Sequence, residues 1–361
     1  MTKRIRVGIL GATGAVGQSF IRLLHDHPWF ELADLAASER SAGKRYADAA
    51  RWIGGGAVPE SLRDVRVVAA EPGAVQADVV FSALDSGVAG EIEMAFARAG
   101  KLVLSNARNY RMEPDVPLVI PEVNPGHLGV LERQRAARGF PGTGGIVTNA
   151  NCSTIVAVLA LAPLHQRFGI EKMFVATMQA VSGAGYPGVP SLDILGNVIP
   201  HISGEEEKVE TESLKMLGGY RDGAFVPASI AVTAHCNRVP VENGHTVCLS
   251  LGFRVRATPE QVAETLRAWE GDALARGLPT SPARPVIVTD EPDRPQPRRD
   301  VDAGRGMSVV VGRVRRDPLL DVKLVAMGHN TVRGAAGASV LNAELLARMG
   351  RLPGSEGGAF P

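Results

Sequence analysis

Cysteine is scarce. The 361-residue chain holds three, Cys152, Cys236 and Cys248. No two stand at metal-ligand spacing, and an odd number makes a poor disulfide framework, so a reducing compartment, the cytoplasm, is expected. Net charge is lacking as well: 39 Lys and Arg stand against 38 Asp and Glu, a balance of +1. Such a chain has no global field for nucleic acid or an anionic membrane, and any anion site must be local. Long apolar runs are missing too. The most apolar stretch, residues 155–164, is too short to span a bilayer. Residues 3–10 set basic residues before apolar ones, yet Gly8, Gly11, Gly14 and Gly17 break the run, so no signal peptide is expected. What remains is ordinary for a globular protein, 45% hydrophobic and 21% charged, over a length that accommodates two domains with separate cores.

The first half carries a nucleotide signature. Residues 4–10 read as a buried strand, Gly11-Ala12-Thr13-Gly14-Ala15-Val16-Gly17 follows at once, and residues 19–24 continue with helical periodicity. Strand, glycine turn and helix in that order predict a dinucleotide site. The glycines permit a tight turn and close approach of backbone N–H groups to a pyrophosphate at the helix N-terminus. After a second strand at 32–37 comes Ser38-Glu39-Arg40-Ser41-Ala42-Gly43-Lys44. An acid there suits a free ribose 2′-hydroxyl, whereas Ser and Arg suit a 2′-phosphate. Ser38, Arg40 and Ser41 therefore point to NADP, and Glu39 points the other way. Strands at 65–69, 79–83 and 102–105 with a helix at 91–99 predict a doubly wound parallel sheet. Ser82 falls at a strand's C-terminal end, where such sheets bind ligands. Arg111, just past another strand end, reads equally as an anion ligand or a loop charge.

In the second half, Thr-Asn-Ala-Asn-Cys-Ser-Thr (148–154) delivers Cys152 to the first turn of an apolar helix. The positive end of the helix dipole favours thiolate there; the alternative is a small buried residue opening a core helix. A strand at 172–181 runs into a loop dense in Gly and Pro, with Gln179 placed to orient a carbonyl or a water. Residues 204–217 predict a charged helix with Glu205 and Lys208 on one face. Arg238, a planar fork suited to a carboxylate, is expected on one strand of a hairpin that turns at Glu242-Asn243-Gly244, with His245 opening the other strand. His245 and His235 both qualify as a base near neutral pH. Further β-rich segments at 247–256, 307–315 and 319–327 suggest a largely antiparallel sheet. Residues 279–306 read as a long loop with a short strand at 285–289, and acids interleaved with its arginines argue against nucleic acid. An Ala-rich helix follows Gly328-His329-Asn330-Thr331 and ends near Met349.

Taken in order, these motifs make the chain similar to the aspartate-β-semialdehyde dehydrogenases, and most to their archaeal and fungal branch. The likeness rests on residues 11–17, Ser-Asn-Ala-Arg-Asn-Tyr-Arg-Met (105–112), Ile-Pro-Glu-Val-Asn (120–124) and Asn-Ala-Asn-Cys-Ser-Thr (149–154). It continues through Gln-Ala-Val-Ser-Gly-Ala-Gly (179–185), Gly-Glu-Glu-Glu-Lys (204–208), Asn-Arg-Val-Pro-Val (237–241), Asn-Gly-His-Thr (243–246) and Gly-His-Asn-Thr (328–331). The resemblance implies an α/β protein with a Rossmann-like NADP-binding domain (1–150) and an α+β catalytic and dimerisation domain (151–330). A helix (331–350) would return to the first domain, followed by a tail (351–361).

The resemblance also implies roles. Cys152 would be the nucleophile, His245 its acid/base, Gln179 a support for the acyl-enzyme, and Asn151 a holder of the oxyanion. Arg238 and Glu205 would hold the amino-acid end of the substrate, with Arg111 and Lys208 on phosphate. Gly11, Thr13, Gly14, Ala15 and Val16 would cradle the dinucleotide, with Ser38, Arg40 and Ser41 near its 2′-phosphate and Ser182, Gly183 and Asn330 near its nicotinamide end. The implied reaction joins thioester formation at Cys152 to attack by inorganic phosphate, in a homodimer or homotetramer. It runs in the cell as reduction of β-aspartyl phosphate for lysine, threonine and methionine synthesis. Two rivals share the opening turn: a CoA-dependent acyl reductase such as malonyl-CoA reductase, and a non-catalytic NADP-binding sensor. A short-chain-type reductase is excluded, because no tyrosine has a lysine four residues on.

Overall fold

The computed structural model describes residues 4–355. Its first sheet has six parallel strands, β1 (Ile5–Leu10), β2 (Phe30–Ala37), β3 (Val68–Ala69), β4 (Val79–Ser82), β5 (Leu102–Ser105) and β6 (Gly145–Thr148). Their order is β3-β2-β1-β4-β5-β6. β4, β5 and β6 are buried at every position, as continuous apolar runs are when helices cover both faces of a parallel sheet. Strand order reverses between β1 and β4, and the crevice beyond their carboxyl ends is where ligands bind in such sheets. The glycine turn leaves β1 at that point and enters the helix Ala15–Leu24.

The helix Cys152–Phe168 separates the two halves and is buried along almost its whole length, as an all-apolar helix must be. A second sheet follows, with β7 (Ile170–Gln179), β10 (Ala231–Arg238), β11 (His245–Phe253), β12 (Val286–Val288), β13 (Val309–Arg316) and β14 (Val322–Gly328). Between β7 and β10 lie the acidic helix Glu205–Leu217 and a small hairpin, β8 (Gly219–Arg221) with β9 (Ala224–Val226). The second sheet runs β10-β7-β11-β14-β13-β12. Its three inner pairings are antiparallel, while β10–β7 and β12–β13 at its edges are parallel, so the sheet is mixed.

The expected hairpin of Arg238 with His245 does not form. β7 lies between the two strands, paired in parallel with β10 and antiparallel with β11. The register sets Arg238 beside Gln179, so three site residues come from the ends of three adjacent strands. One face of this sheet packs on the cysteine helix. On the other, Phe174 and Met178 are exposed at 39% and 38%.

After β14, a single π-helical turn, Val332–Ala336, leads into the helix Gly337–Arg348. Val340, Leu341, Leu345 and Leu346 of that helix join Ile9, Phe20 and Ile21 in the core of the first sheet. No helix among the described residues is long and apolar enough to cross a membrane. The end of the expected tail, residues 356–361, lies outside the described residues.

Candidate active site

The glycine turn is shaped for close approach. Gly11 sits at φ +79°, where a side chain would be strained and its Cβ would lie 2.8 Å from the Ala83 carbonyl oxygen. A Cβ on Gly17 would collide with the Gly11 carbonyl oxygen. Gly14 is the N-cap of the helix and supplies no side-chain cap, so the first-turn N–H groups are left for an anion. Thr13 is held from below by Gln18, whose Nε2 donates to its carbonyl at 3.1 Å, and Tyr46 donates to the Ala12 carbonyl at 2.9 Å. Beyond β2, Ser38, Glu39 and Arg40 are exposed and Ser41 half-buried; the Ser41 N–H closes the turn on the Ser38 carbonyl at 2.8 Å.

Ser82 ends β4 at the carboxyl edge of the sheet. It is fully buried beside the Glu93 carboxyl, which burial pushes above its usual pKa against the pull of the Ser82 and Ser105 hydroxyls.

Across the helix boundary, Cys152 Sγ lies 3.1 Å from His245 Nε2. The other ring nitrogen, Nδ1, accepts from the Ala180 N–H at 3.1 Å. In the neutral ring this leaves the proton on Nε2, facing sulfur. Burial pushes the Cys152 thiol up to about 12, aided by the Glu205 charge and opposed by Arg111, Arg238 and Lys208. Burial pushes His245 down to about 3, with Arg238 acting the same way. Desolvation thus opposes the helix dipole, worth about 0.3–1 kcal/mol, and both shifts favour the neutral forms of the thiol and the imidazole. The expected outcome is that alkylation of Cys152 by iodoacetamide accelerates steadily from pH 7 to pH 9.5, since thiolate grows with pH below the thiol pKa. A rate already level below pH 7 would reveal a preformed thiolate–imidazolium pair. His235, the other base candidate, is exposed on β10, with its ring 5.7 Å from that of Phe174, and takes no part.

Asn151 is the N-cap of the cysteine helix. Its Oδ1 accepts from the Ser153 and Thr154 N–H groups at 3.0 and 3.2 Å. Its Nδ2 donates to Glu205 at 2.9 and 3.1 Å. These contacts shape the turn that presents Cys152. Gln179, 1% exposed, donates to Ser153 Oγ at 3.1 Å and to Glu205 Oε2 at 3.2 Å. Glu205 also receives the Lys208 ammonium at 2.5 Å. Burial opposes its charge, but Lys208, Asn151 and Gln179 together hold the carboxyl below its usual pKa. Arg238, buried, donates to the Ala180 carbonyl at 2.7 Å, so Ala180 ties the arginine and the histidine to one peptide unit on each side.

Gly183 closes the site from above: a Cβ there would lie 2.9 Å from the Arg238 guanidinium and 3.0 Å from the His245 ring. Ser182 accepts from Asn330 Nδ2 at 2.8 Å, and Asn330 Oδ1 accepts from the Gly244 N–H at 2.8 Å. Arg111 is 7% exposed and donates to Glu212 at 2.9 Å and to the Asn106 carbonyl at 2.7 Å.

Several residues at the site carry no sequence signal. Glu212 is one acid among several on a charged helix, yet its second oxygen accepts from the Asn151 N–H at 2.6 Å. Gly334, in the π-helical turn, packs so tightly on Cys152 that a Cβ there would lie 2.6 Å from the cysteine Cβ. Such turns recur at functional sites. Next to it Arg333, fully buried, makes a two-pronged ion pair with Glu122 at 2.7 Å on each arm. Among the described residues no cluster of His, Cys, Asp and Glu could hold a metal ion.

Fold and site together define a two-domain, dinucleotide-binding oxidoreductase built around a cysteine–histidine pair. Residues 6–130 match the family model described as semialdehyde dehydrogenase, NAD binding domain, and residues 161–333 match semialdehyde dehydrogenase, dimerisation domain. The chain is 54% identical over 343 residues to the aspartate-semialdehyde dehydrogenase of Archaeoglobus fulgidus, covering 95% of this chain and 98% of that one. It is 50% identical over 355 residues to that of Candida albicans, covering 94% and 97%. A crystal structure of the Candida albicans enzyme with NADP superposes at a TM-score of 0.89 with 47% identity, covering 97% of this chain and all of that one. A Vibrio cholerae aspartate semialdehyde dehydrogenase II structure, complexed with ASA, gives 0.76 at 28% identity, covering 96% and 99%. The chain belongs to the aspartate-semialdehyde dehydrogenase family, with relatives in both the archaeal and the fungal branch.

Proposed function

We propose that the protein interconverts β-aspartyl phosphate and L-aspartate-β-semialdehyde with NADP, through a thioester on Cys152. The observation that carries this reading is the Cys152–His245 pair, 3.1 Å apart, bordered by a buried guanidinium and a buried carboxylate. The glycine cradle fits the cofactor: Gly11 and Gly17 leave no room for a Cβ, and the helix start above them is uncapped. Ser38, Arg40 and Ser41 would face the 2′-phosphate, with Gly183 and Asn330 on the nicotinamide side. When bound, NADP would supply the hydride acceptor at the carbon bonded to sulfur, and NADPH the hydride donor in the opposite direction.

Cys152 does the covalent work. The thiol gives up its proton to solvent, the thiolate sulfur bonds the aldehyde carbon, and the carbonyl electron pair moves onto oxygen. The His245 Nε2–H, fixed by the Ala180 bond to Nδ1, gives a hydrogen bond first to the negative sulfur and then to that oxygen, which stays an alkoxide. Loss of hydride from the carbon leaves a thioester. A phosphate oxygen then bonds the acyl carbon, the C–S bond breaks, and Cys152 leaves as thiolate, ready for the next cycle. Dividing the oxidation in this way keeps its energy in the acyl group until phosphate arrives. Glu205 and Arg238 complement the ammonium and carboxylate of the amino-acid end, and Lys208 and Arg111 complement phosphate. Run reductively, the reaction supplies semialdehyde for lysine, threonine and methionine synthesis.

The test is NADPH absorbance with the semialdehyde, with and without phosphate. Phosphate-dependent NADP reduction supports the reading; CoA-dependent reduction indifferent to phosphate would transfer the chain to the acyl-CoA reductases. The three cysteines, none in a disulfide, suit the reducing cytoplasm. We also propose that a second copy of this chain covers Phe174 and Met178 on the open face of the second sheet, as a dimer or a dimer of dimers; sedimentation mass distinguishes the two. Domain boundaries near 150 and 330 follow from the same reading.

A further inference from the structure

We infer that Glu212 is a positioning residue, setting Arg111 for phosphate and fixing its distance from the cysteine turn. The inference rests on the reading of Arg111 as a phosphate ligand. Glu212 is 2% exposed, and its two oxygens serve different parts of the site. Oε1 accepts from the Arg111 guanidinium at 2.9 Å, and Oε2 accepts from the Asn151 N–H at 2.6 Å. Asn151 is the cap on which the cysteine helix begins. One carboxylate therefore spans the anion-binding arginine and the residue before the nucleophile.

The same helix secures the backbone around Arg111. One turn beyond Glu212, the Lys215 ammonium donates to the carbonyls of Arg111, Glu113 and Val116 at 2.7, 2.9 and 2.8 Å. At its first turn stand Glu205 and Lys208. The helix Glu205–Leu217 thus fixes the main chain and the side chain of Arg111 in one frame with the substrate residues. Arg111 retains one buried donor, Nε, without a partner among the described residues. A buried guanidinium left incompletely satisfied is costly to maintain unless a ligand completes it.

Charge explains why an acid stands here. Arg111 is almost enclosed, and a carboxylate is the partner that keeps a buried guanidinium in place between turnovers. A glutamine at 212 keeps one acceptor oxygen for the Asn151 N–H but carries no charge, so the guanidinium loses its carboxylate partner. The rest of the site, including the cofactor turn, is untouched by that change.

The test compares wild type with Glu212→Gln, singly and in an Arg111→Ala background. Glu212→Gln is expected to raise the phosphate KM roughly tenfold, as loss of about one charge-assisted hydrogen bond would, while the NADP KM stays near wild type. In the Arg111→Ala background the same substitution is expected to leave the phosphate KM unchanged, because its effect passes through the arginine. A phosphate KM that does not move, an equal rise for phosphate and NADP, or an undiminished effect without Arg111 each overturns the inference. Should Glu212→Gln not accumulate as folded protein, Glu212→Asp, which keeps the charge but shortens the reach, carries the same comparison. Wild-type oxidation indifferent to phosphate would instead defeat the functional reading beneath it.

Discussion

Cys152→Ala is expected to lower turnover by on the order of 10⁴-fold or more while leaving NADP affinity largely intact. No other group in the site can take over. Ser153 Oγ is bound to Asn151 Oδ1 at 2.7 Å and receives Gln179; Cys236 is buried in β10. With Cys152 gone, no acyl group can be held between hydride transfer and attack by phosphate. The cofactor turn belongs to the other sheet, so its hydrogen bonds to Gln18 and Tyr46 are unaffected. NADPH absorbance measures the first quantity and titration of cofactor fluorescence the second. Turnover near wild type would remove Cys152 from the mechanism, and a matching loss of cofactor affinity would mean the substitution had disturbed the fold.

Arg238→Ala is expected to cut kcat/KM for the semialdehyde on the order of 10²–10³-fold, the size seen when one partner of a buried charged pair is deleted. Burial lowers the pKa of this guanidinium while the Cys152 and Glu205 charges raise it, so the environment is one where a carboxylate counts heavily. Arg238→Lys should recover little, because an ammonium lacks the planar fork. NADP affinity should hardly change. Steady-state kinetics with each substrate varied in turn separates these outcomes; equal losses for semialdehyde and cofactor would mean Arg238 does not face the substrate.

The parts of the protein legible in its sequence are those whose logic is local. A strand, glycine turn and helix lie within 21 consecutive residues, from Arg4 to Leu24, and Cys152 announces itself through the cap and helix that surround it. Cys152 and His245 are 93 residues apart, and ordered motifs, not spacing, brought them together. Where pairing is non-local, sequence signals mislead. Arg238 and His245 flank a turn signal that suggests a hairpin, yet β7 inserts between their strands because it offers both a free edge and a matching apolar face. Glu212 and Gly334 were invisible for a different reason. An acid on a charged helix and a glycine before a helix are commonplace, and only the contacts they make across 61 residues or against the cysteine Cβ distinguish them.

The helix Gly337–Arg348 completes the core begun by β1 and the helix after the glycine turn. During synthesis the ribosome makes the first sheet early, but the wall that shuts it emerges only after the last strand of the second sheet. The nucleotide-binding half must therefore wait, with an apolar flank uncovered, while the entire second sheet is made and folded. A nascent chain stalled before that helix would be a species for chaperones to shield, and the oldest part of the polypeptide becomes the last to be sealed.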